Sequence, residues 1–122
     1  MFRLVTLLRR RPGMSVDEFR AYYESRHRVI GERVLSGHAL RYVRRYVTPM
    51  QDGASPGFDV VMEIDFPDRA AHDRCMAMLA RPDIAREIAE DEERLFDRAA
   101  TLSFTVEECE SVMPQPADRA GD

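Results

Sequence analysis

The sequence contains neither lysine nor tryptophan, and all 18 of its basic side chains are arginines. Because a Schiff base requires a lysine amine, this absence excludes pyridoxal-phosphate enzymes and lysine-dependent aldolases. The formal net charge of −4 argues against nucleic acid as a partner, because binding to phosphates requires a basic face. The short run Arg9–Arg11 does not outweigh that charge.

Cysteines and long apolar runs are also scarce. Cys75 and Cys109 are the only cysteines, and they lack both CxxC and metal-ligand spacing. No apolar stretch approaches the ~20 residues that span a bilayer, and the opening segment is too short for a signal peptide. We therefore expect a cytoplasmic protein with reduced thiols and no membrane partner. Three histidines without paired ligand spacing, and no glycine-rich phosphate loop, predict that it binds no metal and no cofactor.

The sequence has the length of one domain, 122 residues, in which helix and strand patterns alternate. Alternating or β-branched residues predict strands over 2–9, 41–48, 58–66 and 99–108. Ser15 and Glu18 form a capping box that predicts a helix start, and Pro67–Asp68 begins a second helical region that Arg81–Pro82 interrupts. The order β-α-β-β-α-β predicts an α+β, ferredoxin-like antiparallel sheet with its helices on one face.

The second sheet face would stay uncovered in a single chain. We therefore expect a homodimer in which two sheets face each other as a dimeric α+β barrel. We assign the domain to residues 1–110. Residues 111–122 are polar and contain proline, which predicts a flexible tail, and residues 49–57 are expected to form an exposed loop.

Apolar spacing within the helices singles out two polar residues, His27 and Asp91. His27 falls on the predicted buried stripe of the first helix, which consists of Val16, Phe19, Tyr23, Ile30 and Val34. Asp91 falls on the stripe of the last helix, in line with Ile84, Ile88 and Leu95. On the strand 58–66, strict alternation predicts that Asp59, Glu63 and Asp65 point away from the core.

Three segments resemble the EthD family: LVTLLRRRPGMSVDEFRAYYESRH, FDVVMEIDF and DEERLFDRAATLSFTVEE. The family pattern is a strand, K/R-x-P-G, a helix carrying F-x-x-Y-(W/Y)-x-x-x-H, and later an Asp-Glu pair followed by Phe and Asp. The resemblance covers residues 2 to about 108. It departs after His27, where the family commonly has a small residue and proline and this chain has Arg28 and Val29.

The resemblance implies the dimeric α+β barrel superfamily and a small hydrophobic, aromatic or phenolic ligand. Relatives in that superfamily include cofactor-free quinol-forming monooxygenases, polyketide cyclases, dehydratases and muconolactone isomerases. Some members are encoded beside degradative oxygenases. The resemblance therefore indicates the fold better than the reaction.

His27 is the first candidate for chemistry, because an imidazole side chain can act as a general acid/base near neutral pH. The alternative is a core histidine bonded to backbone. Asp91 is the second candidate, because a buried carboxylate needs a partner and His27 is one whose tautomer it would orient. The alternative partner is an arginine, such as Arg26 or Arg94.

Five further residues are predicted to bind substrate. Tyr23 lies one helical turn before His27 and is expected either to orient a phenol or to pack in the core. Tyr42, Arg44 and Tyr46 share one strand face, which predicts either a pocket wall or a dimer contact. Met62 is expected to line an irregular apolar cavity.

These features lead to one hypothesis and two alternatives. The hypothesis is a cofactor-independent lyase, a dehydratase in the first instance, or an isomerase, acting on a small aromatic or polyketide-like substrate with His27 as general acid/base. One alternative is a non-catalytic accessory protein that binds a hydrophobic ligand for a degradative oxygenase. The other is a cofactor-free quinol-forming monooxygenase.

Overall fold

Four antiparallel strands form one sheet in the computed structural model, which describes residues 1–53 and 55–117. The elements are β1 Phe2–Leu8, α1 Val16–Tyr22, a π-helical turn Tyr23–His27, α2 Arg28–Leu35, β2 Arg41–Tyr46, β3 Val60–Phe66, α3 Arg69–Leu79, α4 Pro82–Glu93, a 3₁₀ turn Arg98–Ala100 and β4 Leu102–Thr105. The strand order is β2-β3-β1-β4, and every neighbouring pair is antiparallel. This is the α+β, ferredoxin-like fold predicted from the order of the elements.

Local capping explains where the helices begin. The Ser15 hydroxyl accepts the Glu18 backbone N–H at 3.1 Å, and the Asp68 carboxylate accepts the Ala71 N–H at 2.8 Å. Each bond satisfies an amide that has no partner within its own helix. Pro82 occupies the first turn of α4, where a missing N–H costs nothing. The predicted helix starts at Ser15 and Asp68 are confirmed.

The core lies between the helices and the face of the sheet that they cover, which we call the inner face. Val60 and Phe66 of β3 are fully buried there. They pack in two clusters with buried helical and loop side chains, including Phe19, Tyr23, Leu35, Cys75, Leu95 and Phe96. The stripe predicted for the last helix is buried toward its end: Ile84 and Ile88 are half-buried, Asp91 is 4% exposed, and Leu95, just beyond α4, is fully buried.

The prediction of a buried stripe on the first helix is wrong for one of its members. Val16 is 52% exposed, because it borders an open cleft at the end of β1 and does not reach the sheet. The other correction concerns Asp65, which lies on the sheet face away from the helices, as predicted, but is fully buried. Arg3 covers it with two hydrogen bonds, of 2.7 and 3.2 Å to its two carboxylate oxygens.

The last strand is shorter than predicted. Residues 98–100 turn as a 3₁₀ helix, and pairing with β1 is confined to Leu102–Thr105. Residues 106–117 carry no regular structure, and residues 118–122 of the predicted tail lie outside the described part of the chain, as does Ala54 of the predicted loop. The flexibility of that tail stays a prediction.

No helix within residues 1–53 and 55–117 is long and apolar enough to cross a membrane. Both cysteine thiols are free, with Cys75 buried and Cys109 exposed. The expected cytoplasmic location stays a prediction.

Candidate functional site

The π-helical turn between α1 and α2 presents the polar side chains of the site. A π turn adds a residue to the helical turn, and such turns are frequent at functional sites. Here the Arg28 backbone N–H donates to the Tyr23 carbonyl, five residues back. The turn directs Tyr23, Glu24 and His27 toward the sheet and α4, where each of them contacts a partner.

His27 and Asp91 meet directly, which is one of the two pairings that the sequence left open for Asp91. His27 Nδ1 lies 2.8 Å from Asp91 Oδ2, although the two residues are 64 positions apart. Only 12% of the His27 side chain and 6% of the Asp91 side chain are exposed. The partial exclusion of water strengthens this interaction relative to one on the surface.

The other oxygen of Asp91 has two neighbours. The Tyr22 hydroxyl donates to Oδ1 at 2.6 Å, and Arg94 Nη1 lies 3.6 Å away on an exposed side chain. The alternative in which an arginine partners Asp91 therefore holds in part, since Arg94 is a second and more distant neighbour. Burial raises the pKa of Asp91, but the bonds from Tyr22 and His27 and the nearby positive charges outweigh it and leave that pKa below its ordinary value.

The state of Asp91 fixes the tautomer of His27. An ionised carboxylate can only accept hydrogen bonds, so His27 Nδ1 carries the hydrogen. In the neutral imidazole, Nε2 is then the basic nitrogen. Within the described residues Nε2 makes no hydrogen bond, and no fully buried side-chain nitrogen or oxygen lacks one, so Nε2 is not fully buried.

Two aromatic rings pack against the imidazole. The His27 ring makes edge contacts with Tyr23 and Phe96, at centroid distances of 5.3 and 5.2 Å. These contacts fix the ring plane while the bond to Asp91 fixes its rotation. The arrangement can accept a proton at Nε2 and stabilise the resulting imidazolium through Asp91.

A second polar cluster, consisting of Glu24, Arg44 and Tyr46, lies beside the first. Arg44 donates to Glu24 twice, at 2.8 and 3.0 Å, and the Tyr46 hydroxyl donates to the same carboxylate at 2.5 Å. The Arg44 bonds, together with that of Tyr46 and against the opposing effect of burial, lower the pKa of Glu24 to about 2. The charge of Arg44 is therefore balanced within the protein.

The remaining predicted ligand contacts lie between these two clusters. The Tyr23 and Tyr42 hydroxyls are 3.1 Å apart, and the Tyr23 hydroxyl also donates to Met62 Sδ at 3.4 Å. Tyr23 is fully buried, which is the packing role that the sequence left open for it. Tyr42, Arg44, Tyr46 and Met62 are partly exposed, and all four lie on the inner face rather than on the face available to a partner. Their role in binding substrate stays a prediction.

The sequence patterns did not identify two residues of the site, Tyr22 and Glu24. Tyr22 sits next to the apolar stripe rather than on it, although the family pattern F-x-x-Y contains it. Glu24 gives no signal of its own, because a glutamate on a helix is ordinarily a solvated residue. Their partners, Asp91 and Arg44, are 69 and 20 positions away, so helical spacing has no bearing on either contact.

Two adjoining clefts, of about 550 and 650 Å³, lie elsewhere. They are bordered by residues 9–14, 16, 47–51 and 55–59, which include the segment after β1 and parts of the predicted loop, and neither is lined by His27 or Asp91. Among residues 1–53 and 55–117, no group of three His, Cys, Asp or Glu side chains is arranged to hold a metal ion. That the protein works without a metal or cofactor stays a prediction.

The fold and the buried His–Asp pair define an α+β protein of ferredoxin-like topology with a candidate acid/base site under its helices. The EthD domain family model matches residues 11–99, and the chain belongs to the EthD family. The match spans both His27 and Asp91, which confirms the family resemblance seen in the sequence.

Solved structures support the fold. An EthD family protein from Bacillus halodurans has a TM-score of 0.64 at 16% identity, over 89% of this chain and 100% of that one. A dabb family protein with a ferredoxin-like fold from Mesorhizobium loti gives 0.54 at 16% identity, over 89% and 97% of the two chains. A dimeric ferredoxin-like protein from an uncultured marine organism gives 0.54 at 11% identity, over 93% and 97%. No curated protein matches the chain in sequence.

Proposed function

We propose that this protein is a cofactor-independent lyase, in the first instance a dehydratase, or an isomerase that acts on a small aromatic or polyketide-like substrate. His27 is the general acid/base, and Asp91 orients it. The observation that carries the proposal is the 2.8 Å contact between His27 Nδ1 and Asp91 Oδ2, which leaves Nε2 as the basic nitrogen, and Nε2 is not fully buried. A base held by a second group is the arrangement that proton transfer at carbon requires.

In a dehydration, His27 removes one proton from the substrate and returns it to the hydroxyl group that leaves. His27 Nε2 removes the proton from the carbon next to a substrate carbonyl, and the C–H electrons form an enolate. The enolate expels the β-hydroxyl group, which takes the proton from Nε2 and leaves as water. One C–H and one C–O bond break and one C=C bond forms, so no oxidant or reductant is needed. In an isomerisation, Nε2 returns the proton to a different carbon.

The surroundings of His27 favour an uncharged aromatic substrate. Edges of Tyr42, Tyr46 and Met62 are available on the inner face, and they are apolar or phenolic. Arg44 is already paired with Glu24, so it offers little net charge to a carboxylate. A neutral β-hydroxy ketone with an aromatic ring is therefore the first substrate class to test.

The test follows elimination of water from 4-hydroxy-4-phenylbutan-2-one by the absorbance of the conjugated product. We expect the wild-type protein to accelerate this reaction and His27→Gln to lower the rate by about 10²- to 10⁴-fold, the usual contribution of a general base. His38→Gln is the matched control, because His38 lies in the turn after α2, away from the site. Tight binding of such ketones without any elimination would contradict the proposal.

A second candidate, a protein that binds a hydrophobic ligand for a partner oxygenase, is favoured by one observation. The two clefts lie apart from His27 and Asp91. In that case a fluorescent aromatic ligand binds wild-type protein and His27→Ala with the same affinity. A loss of affinity in His27→Ala would instead place the ligand at the acid/base pair.

We also infer that the working unit is a homodimer. The sheet face away from the helices, the outer face, exposes Leu102 and Phe104, which are 57% and 39% accessible. The similar ferredoxin-like protein described as dimeric supports the same assembly. A second copy covering this face would bury both side chains.

A further inference from the structure

The Tyr22 hydroxyl is the shortest contact of the Asp91 carboxylate. It donates to Oδ1 at 2.6 Å, while His27 occupies Oδ2 at 2.8 Å. The two oxygens are therefore held by different side chains. A carboxylate anchored at both oxygens cannot rotate about its bond to the β-carbon without losing a charge-assisted hydrogen bond.

The π-helical turn makes this double contact geometrically feasible. In a regular α-helix each residue turns about 100°, so residues five apart point about 140° away from each other. Tyr22 and His27 are five apart, yet both reach Asp91. The wider turn over Tyr23–His27 reduces that angle, because its hydrogen bonds join residues five apart.

The only other described neighbour of Oδ1 is a poor substitute for Tyr22. Arg94 Nη1 is 3.6 Å away, beyond hydrogen-bond distance, on a side chain that is 60% exposed. It lies on the same α4–turn segment as Asp91, so it does not tie that segment to α1. Tyr22 does so, because it is the last residue of α1.

We propose that Tyr22 is a positioning residue: its hydroxyl fixes the Asp91 carboxylate and thereby holds His27 in the tautomer that leaves Nε2 basic. The expected effect of Tyr22 on the reaction rate rests on the proposed function, whereas its expected effect on the tautomer of His27 does not. When the hydroxyl is removed, Oδ1 loses its anchor and the carboxylate rotates toward Arg94. The bond to Nδ1 then weakens, and the second tautomer becomes populated.

The experiment reads the tautomer without any substrate. The ring nitrogens of His27 are observed by two-dimensional proton–nitrogen NMR of ¹⁵N-labelled full-length protein at alkaline pH. In the wild-type protein we expect the widely separated shifts of a single Nδ1–H tautomer. Tyr22→Phe should bring the two shifts closer together, whereas Arg94→Gln, the matched control at the same oxygen, should leave them separated.

Unchanged shifts in a folded Tyr22→Phe variant, or an Arg94→Gln effect as large as that of Tyr22→Phe, would overturn the positioning role. If Tyr22→Phe does not fold, the wild-type protein gives a second measurement. A slowly exchanging Tyr22 hydroxyl proton with a cross-peak to the His27 Nδ1 proton is expected, and its absence would equally overturn the proposal.

The rate provides the separate arm of the test. With the β-hydroxy ketone, Tyr22→Phe should lower kcat about tenfold and leave KM unchanged, because one charge-assisted hydrogen bond is lost away from the substrate. A tautomer change without any elimination activity would support the role of Tyr22 and contradict the proposed function. If elimination activity is observed and Tyr22→Phe causes no tautomer change, the result would support the proposed function and contradict the role of Tyr22.

Discussion

The Glu24 side chain determines how much net charge the inner face of the sheet presents. Its carboxylate accepts two bonds from Arg44 and one from Tyr46, so a cation and a phenol on the inner face are both committed within the protein. Burial, followed by the Glu24 carboxylate, raises the pKa of Tyr46, so this phenol remains a hydrogen-bond donor at neutral pH. The same carboxylate fixes the positions of both predicted ligand-binding groups.

Replacing Glu24 by Gln should remove a pH-dependent part of the stability. The folded-state pKa of Glu24 is about 2, below its ordinary value of 4.5. The carboxylate therefore stabilises the folded state above pH 4.5, and that contribution is lost as the pH falls toward 2. In urea unfolding, Glu24→Gln should be less stable than wild type at pH 7, and the difference should shrink steadily between pH 4.5 and 2.

The control for that measurement is Glu32→Gln. Glu32 pairs with Arg28 on the exposed side of α2, where an ion pair contributes little. Its curve should follow that of the wild type throughout. A Glu24→Gln curve that stays parallel to wild type down to pH 2 would show that the Arg44 and Tyr46 bonds do not depend on the ionised carboxylate.

At the same scale, the sequence located both partners of the contact between His27 and Asp91, but only one partner of the contacts that Tyr22 and Glu24 make. Asp91 was predicted because a carboxylate interrupts an aliphatic stripe, and His27 because it continues one. Tyr22 was not predicted, because its partner comes from a helix 69 positions later and the local pattern places it beside the buried stripe that contains Tyr23. Contacts between elements depend on tertiary packing, which a periodicity along the chain does not contain.

At the scale of elements, α2 approaches the sheet unusually closely at Gly31. A β-carbon on Gly31 would lie 2.8 Å from Cε2 and 2.9 Å from the hydroxyl of Tyr42, closer than side chains tolerate. The Tyr42 ring is not free to retreat, since its hydroxyl meets that of Tyr23 and Arg44 lies 4.8 Å from its ring centre. The glycine is therefore a packing requirement inside a helix.

Gly31→Ala should accordingly destabilise the protein, although alanine in a helix is favoured by about 1 kcal/mol over glycine. Overpacking against the Tyr42 ring costs about 1–3 kcal/mol and outweighs that gain. Thermal unfolding should show a lower Tm for Gly31→Ala. In the Tyr42→Leu background the ring is gone, so the same substitution should be neutral or stabilising. An equal loss of Tm in both backgrounds would rule out the collision as its cause.

The elements themselves were largely predictable, because capping residues and breakers mark their ends. Ser15 and Asp68 each begin a helix where the sequence placed it, and α4 begins at Pro82, which the sequence indicated only as an interruption between helices. The π-helical turn was not predictable, since its extra residue serves contacts with α4 and the sheet rather than any local preference. Val16 was misplaced because it is the first residue of α1, where the helix borders an open cleft rather than the core.

At the scale of the whole molecule, the outer face combines paired charges with apolar positions. Asp65 is covered by Arg3, and Glu63 has Arg45 at 3.4 Å, so the charges on this face are already matched. β4 adds Leu102 and Phe104, both substantially exposed, at the edge of the sheet. A face with balanced charge and exposed apolar side chains suits a second copy better than water does.

Phe104→Asp therefore tests the homodimer. Sedimentation of the wild-type protein at micromolar concentration should give twice the 14.1 kDa mass of one chain. Phe104→Asp should weaken association by about 100-fold or more, because an unpaired charge is then desolvated at the interface in both copies. Val112→Asp is the control, since Val112 is fully exposed beyond the last strand and should not alter the mass. A wild-type chain that sediments as a monomer would mean that the outer face stays in water, and the site under the helices would then have to work within a single chain.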